Sequence, residues 1–294
     1  MTAQALLASG GDPDRFVRSL AWRLRFWLLG LPAGIGMATL RSILRLWLGF
    51  GAQRSGVFSA GNGPAMRSPI LGVLYRDRPL LCRELVLRST RLTHTDPKAF
   101  HAAWVVARAA SEARMHRGSV QPETFAAALR NELGGGGEEL ADLLDCAARS
   151  VMRREETLDF ARSLGLDRGV SGYSYHTVPV VIHAWLSWPS DYERAVAAVI
   201  RCGGDTDTTA AIVGGIVGAA VGPEGIPARW RSGLAEWPCG AAWLERLGIA
   251  CADMVDGRGP VPPLRFNVPG QCLRNLFFMG VVLFHGFRRL LPPY

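Results

Sequence analysis

Apolar residues recur at three- and four-residue intervals along most of the chain, the spacing that lines one face of a helix. Phe16, Leu20, Leu24 and Trp27 share such a face in a segment opened by Asp14. Met37 to Leu48 repeats the pattern after the breaker Leu31-Pro32, and Thr2 to Ala8 reads as the end of another helix. A polar loop with glycines, Gly51 to Pro64, precedes an apolar segment from Met66 to Tyr75. Asp96-Pro97 predicts a helix start, because Asp caps free amides and Pro at the first helical position gives up no hydrogen bond. That helix runs through Phe100, Trp104, Val105 and Ala109. Pro122 begins the next, Gly134 to Gly137 interrupts it, and Glu138 to Arg154 resumes. Ser190 and Glu193 have the spacing of a capping box ahead of Val196, Val199 and Ile200. No alternating pattern of strand length occurs, and no internal repeat. The expectation is an all-α fold: one compact multi-helix domain over residues 1–260, followed by a tail over 261–294. Within the tail, Leu273 to Leu291 is apolar with Arg274, His285, Arg288 and Arg289 interspersed, as in an amphipathic docking helix.

Composition narrows the class. A chain of 294 residues that is 49% hydrophobic and 20% charged is not disordered and can bury a sizeable core. The formal net charge is +8, and Lys98 is the only lysine, a bias that reads as genome composition. The arginines form no basic runs, so nucleic acid is not an expected partner. Six cysteines without a C-x-x-C pair read as free thiols in a reducing cytoplasm. The start carries Asp12 and Asp14 and lacks the basic-then-apolar pattern of a secretory leader. The apolar stretches Phe26 to Leu40, Ala210 to Gly222 and Leu276 to Phe284 all fall below the ~20 residues of a membrane span.

The densest chemical signal is Gly203-Gly204-Asp205-Thr206-Asp207-Thr208, leading into a helix rich in Gly and Ala. In an extended loop, Asp205 and Asp207 would present both carboxylates to one point, and Thr208 would add a hydroxyl. Such oxygens suit Mg²⁺, Mn²⁺ or Ca²⁺ rather than zinc. The same residues serve equally as a plain helix cap, with Asp207 or Thr208 on the free amides. The Gly214, Gly218, Gly222 spacing also matches a membrane packing face, though the stretch is short. A second signal, Ser55 to Ser68, offers amides, hydroxyls and the Asn62 carboxamide, which suit phosphate and sugar oxygens or an ordinary loop. It has no Walker ending. His94 stands just before the Asp96 cap, and Tyr173 and Tyr175 lie in a glycine-opened loop, placed for stacking on a base or for the core.

Taken in order, SGVFSAGNGPAMRS, THTDP, a GY followed by a helix, and GGDTDTTAAIVGGIVGA resemble the ADP-ribosylglycohydrolase family, over roughly Gly30 to Trp230. The resemblance implies an all-α fold that binds one or two Mg²⁺ or Mn²⁺ ions. It implies hydrolysis of the glycosidic bond joining ADP-ribose to an acceptor, in a protein side chain or a small molecule. Asp205, Asp207 and Thr208 match the family's C-terminal metal ligands. Ser59, Asn62, Gly63, Met66 and Arg67 match its ADP-ribose-facing loop, His94 a position near phosphates or ribose, and Gly172 and Tyr173 a loop lining the substrate site. No residue is assigned as catalytic. The family's N-terminal Gly-Asp and Ser/Thr-Asp-Asp-Thr motifs, which supply its other metal ligands, have no counterpart in these residues. Met1 to Leu6 resembles the helix just after that acidic motif, so the chain resembles a member whose first part is missing. Two outcomes are implied: a metal-dependent hydrolase, or an ADP-ribose binder of the same family with impaired catalysis, holding Mg²⁺ and ADP-ribose weakly.

Overall fold

The structure is a computed structural model, described for all residues except Ala33, Gly118, Ala235, Gly259, Pro260 and 291–294, with backbone alone at 289 and 290. Sixteen α-helices and no strand occur among the described residues. In chain order they are α1 Thr2–Ser9, α2 Pro13–Leu29, α3 Met37–Trp47, α4 Gly63–Met66, α5 Pro69–Leu74, α6 Pro79–Arg91, α7 Pro97–His116 and α8 Pro122–Leu133. Then follow α9 Glu138–Met152, α10 Thr157–Ser163, α11 Ser174–Ser187, α12 Tyr192–Arg201, α13 Thr206–Val221, α14 Ala228–Ser232, α15 Ala241–Val255 and α16 Val268–Leu290.

Local chemistry sets most of the starts. A proline stands in the first turn of α2, α4, α5, α6, α7 and α8, where its missing N–H is no loss. Asp12, rather than Asp14, caps α2 by accepting from the Arg15 amide at 2.7 Å. Asp96 caps α7 as expected, accepting from the Lys98 amide at 2.9 Å. The anticipated Ser190–Glu193 box does not form. Asp191 lies one residue nearer the helix and accepts from the Arg194 amide at 2.9 Å, so its carboxylate takes the cap. The apolar stretch Met66 to Tyr75 is broken at Arg67–Ser68, where α4 gives way to α5.

α7 runs through the core, with α4, α5, α6, α11 and α13 packed around it. Its buried residues are mostly small, among them Ala99, Ala102, Ala103, Ala107 and Ala110, so neighbouring axes come close. At Gly72 of α5, a Cβ would lie 1.8 Å from the Ala107 carbonyl oxygen, so the two backbones touch. The glycines of α13 have a similar use. Gly214 makes room for the Tyr192 ring and Gly215 for the Pro69 ring, which accounts for the small residues without a membrane. No helix among the described residues is long and apolar enough to cross a bilayer. Ala3 and Leu7 of α1 pack with Leu247, Ala250 and Cys251 of α15 in a second, smaller cluster, which Val261 and Leu264 join. Cys82, Cys202 and Cys251 are buried free thiols, pushed up by burial to about 12, 11 and 11. The tail past 261 carries α16.

His183 joins three helices. Its ring stacks on Phe160 at 4.6 Å, and its nitrogens meet the Ser150 and Thr157 hydroxyls at 3.1 Å each. Burial pushes its pKa down to about 4, so it folds neutral. The unfolded chain binds a proton there below about pH 6.5 and the folded chain does not. Stability is therefore expected to fall as pH drops from 6.5 towards 4, with a shallower fall in His183→Gln, measured as urea midpoints along that range. Gly72→Ala is expected to cost about 1–3 kcal/mol by overpacking α5 against α7, read from the same midpoints at pH 7.

Candidate functional site where four loops meet

Four loops converge, each leading into a helix. They are 55–62 before α4, 93–96 before α7, 169–173 before α11 and 203–205 before α13. No sheet joins them; three isolated backbone bridges do, pairing Val57 with His94, Gly61 with Tyr173 and Val170 with Gly204. The Asn62 amide donates to the Gly172 carbonyl at 2.9 Å, and the Ser174 amide to the Ala60 carbonyl at 2.8 Å. The Asp205 amide donates to the Val170 carbonyl at 2.7 Å. Gly204 sits at φ 77, and a Cβ there would lie 2.2 Å from the Val170 oxygen. Both facts restrict that position to glycine.

Side chains close the junction. The buried Asn62 carboxamide donates from Nδ2 to Asp205 Oδ2 at 2.7 Å and to Thr177 Oγ1 at 2.9 Å. An ionised Asp205 can only accept, and the Thr177 hydroxyl donates onward to the Ser171 carbonyl at 3.0 Å, so the amide orientation is fixed. Asn62 Oδ1 is left facing Gly172, where a Cβ would stand 3.8 Å from it and 3.3 Å from Asp205 Oδ2. Gly61 and Gly63 lie against the His94 imidazole, and a Cβ on Gly61 would be 2.9 Å from Nε2. His94 Nδ1 meets the Thr93 hydroxyl at 2.8 Å. Burial, reinforced by the Arg67 charge, pushes the His94 pKa down to about 3, so the ring is neutral at physiological pH. Tyr173 lies edge-on to His176 at 4.9 Å and accepts from Lys98 Nζ at 2.9 Å. Lys98 also pairs with Glu139, and these two hydrogen bonds raise its pKa.

Asn62, Gly63, His94, Gly172, Tyr173 and Asp205 thus lie at one junction. Arg67 stands behind this junction. Its guanidinium donates to Ser89 Oγ at 2.9 Å and to the Ser89 carbonyl and Thr93 Oγ1 at 2.6 Å each. Burial lowers its pKa to about 10. Its Nε and Nη2 brace Ser89 and Thr93 beneath His94, while the half-buried residue also lines the cavity beside Met66. Met66 is exposed and lines a mostly apolar cavity of about 470 Å³ with Arg67, Thr2, Ala3, Ile70 and Ala211. Ser59 borders Gly61, its Oγ 3.6 Å from where a Cβ would be. Thr177 and Lys98 were not singled out by sequence. Thr177 follows Tyr173 by four residues, the spacing that puts two side chains on one helical face, and that periodicity was the available signal.

Asp205 and Asp207 do not share an extended loop. Helix α13 starts at Thr206, which leaves Asp205 at its cap position and Asp207 and Thr208 in its first turn. Asp205 makes no side-chain cap bond, because its carboxylate turns to Asn62. The positive end of the helix dipole favours both carboxylates there. Their oxygens, with the Thr208 hydroxyl, are of the kind a hard divalent cation takes. In number they fall short of a shell, for no group of three or more His, Cys, Asp or Glu converges among the described residues.

A profile of the ADP-ribosylglycohydrolase family matches residues 1–260. The chain is 30% identical over 240 residues to an uncharacterized protein of Archaeoglobus fulgidus, covering 76% of this chain and 68% of that one. It is 28% identical to ADP-ribosylhydrolase ARH3 of Xenopus tropicalis, covering 66% of this chain and 61% of the relative. It is 25% identical to ADP-ribosyl-[dinitrogen reductase] glycohydrolase of Rhodospirillum rubrum, covering 78% and 68%. A solved structure of an ADP-ribosylglycohydrolase-related protein complex superposes with a TM-score of 0.59 at 26% identity, covering 86% of this chain and 78% of that one.

Asn62→Asp would set two carboxylates at hydrogen-bond distance, and one must then hold a proton. The variant is expected to lose roughly 1–3 kcal/mol at pH 7 and to recover towards wild type near pH 5, as the shared proton binds. Equal deficits at both pH values, read from denaturant midpoints, would contradict the close pairing.

Proposed function

The chain belongs to the ADP-ribosylglycohydrolase family, and on that premise we propose that it hydrolyses the glycosidic bond between ADP-ribose and an acceptor on a protein side chain or a small molecule. The observation that carries this reading is the Asn62–Asp205 contact at 2.7 Å, which joins two of the motifs that carry the family resemblance across 143 residues of sequence. The relatives are named as ADP-ribosyl hydrolases, which supports the same reaction class for this chain.

Asn62 has one free acceptor, Oδ1, beside Gly172, suited to a ribose hydroxyl. Neutral His94, buried behind Gly61 and Gly63, supports their loop without adding charge, and Tyr173, steadied by Lys98, offers an aromatic face for stacking. Ser59 and Gly63 border the same loop, and Met66 adds apolar surface beside it. Arg67 acts through Thr93. Asp205, Asp207 and Thr208 would hold a Mg²⁺ or Mn²⁺ ion, which when bound supplies positive charge against the oxygen charge that develops as the bond breaks. The paucity of acidic ligands favours a second reading, an ADP-ribose binder with slow turnover and a weakly held ion.

Release of ADP-ribose from modified arginine and serine peptides separates the two. The hydrolase reading expects release that chelator abolishes and that Asp205→Asn and Asp207→Asn each lower by roughly a hundredfold, the scale of losing one electrostatic partner in a site. Binding of free ADP-ribose without release would support the second reading. Failure to bind ADP-ribose, with the chain folded by circular dichroism, would defeat both.

A further inference from the structure

Helix α16 wears its amphipathicity inside out. Leu273, Leu276, Phe277, Leu283, Phe284 and Phe287 fall on one face at helical periodicity, and all are at least half exposed. At its start the polar stripe meets the protein, while His285 and Arg288 further along are exposed. Asn275 donates to the Gly30 carbonyl at 2.6 Å, and Arg274 pairs with Glu236 at 2.5 Å. Gly30 ends α2, and α2 and α3 carry exposed apolar faces of their own: Trp22, Phe26 and Leu29 on α2, Leu44 and Trp47 on α3. This much exposed aromatic and aliphatic surface marks a contact site rather than chance.

Charge identifies what it contacts. Residues 15–76 contain nine arginines and no Asp or Glu, and residues 259–294 contain four arginines and no Asp or Glu. The net charge of the whole chain is +8, so everything outside these two segments is net acidic. Arg15, Arg18, Arg41 and Arg54 are exposed, and none pairs with a carboxylate among the described residues. Arg25 lies over the Trp22 ring at 4.5 Å, a cation beside an interfacial aromatic. A second copy of this surface would bring arginine against arginine. No helix among the described residues is long and apolar enough to cross a bilayer, yet α16, at about 1.5 Å per residue, is long enough to lie along one.

We propose that α2, α3 and α16 form a docking face for an anionic lipid surface, with the α16 apolar stripe at the acyl boundary and the arginines among the headgroups. The face adjoins the candidate site. Arg45 of α3 donates to the Gly56 carbonyl in the first site loop at 2.6 Å, and Thr39 Oγ1 lies 3.7 Å from where a Gly63 Cβ would be. Docking would thus hold the substrate loops close to the bilayer.

Vesicle flotation of the full chain tests this, with phosphatidylcholine alone and with about 30% phosphatidylglycerol, at about 0.1 and 0.5 M salt. Expected is binding to the anionic vesicles, weakened about tenfold or more at high salt and by Arg18→Glu with Arg41→Glu. Leu276→Glu with Phe284→Glu is expected to abolish binding while leaving the unfolding midpoint unchanged, since both residues are exposed. Equal partition to the two vesicle types, or binding indifferent to the α16 pair, would overturn the proposal. So would a concentration-dependent dimer in sedimentation that the α16 pair dissolves, for then a second copy covers the face.

Discussion

One carboxamide holds two distant parts of the chain together. Asn62 sits between the Asp205 carboxylate and the Thr177 hydroxyl, and its backbone amide is bonded to Gly172. Three loops that share no sheet thereby meet at a single residue. A buried carboxamide left with a missing partner is costly, so each of the three loops constrains the other two. The glycines follow from this constraint. Gly204 stands where any Cβ would separate the loops that Asn62 draws together, and at Gly172 a Cβ would crowd the Asp205 carboxylate at 3.3 Å.

Electrostatics around the junction are arranged in two layers. Outermost lie Asp205 and Asp207 at the head of α13, with the positive helix end behind them. Beneath lies a neutral His94, kept uncharged by burial and by the Arg67 guanidinium, which is itself bonded to Ser89 and Thr93. A charged imidazole there would sit beside an arginine in a dry interior, at high cost. The arrangement gives the junction one acidic edge and one polar but uncharged side.

Much of this was legible in the chain, and the failures have particular causes. Asp96-Pro97 and Pro122 marked helix starts because the missing N–H is harmless only there, and α7 and α8 bear this out. The all-α class followed from the absence of alternation. Asn62 and Asp205 were legible as motif residues, although nothing in either loop says that they touch. The cap at Asp191 was missed because Ser190 and Glu193 satisfied the spacing rule one residue too early. What the motif position of Arg67 did not convey is its bracing role, with Nη2 on the Ser89 carbonyl and the Thr93 hydroxyl. Asp207 is not in an extended loop because the helix begins at Thr206, ahead of the cap positions Asp207 and Thr208 that the sequence offered. The outward apolar stripe of α16 could be seen as a stripe, but which side faces the protein depends on Asn275 meeting Gly30, a contact across 245 residues.

If Asn62 and Asp205 act as one unit at the ligand site, their effects on ADP-ribose binding are coupled. Calorimetric titration of ADP-ribose into wild type, Asn62→Ala, Asp205→Ala and the double variant, at fixed Mg²⁺, measures that coupling directly. Each single change is expected to weaken binding, and the double to be no worse than either by more than about tenfold, a coupling of about 1–3 kcal/mol. Strictly additive losses, or full affinity in Asn62→Ala, would contradict the central place given to this pair.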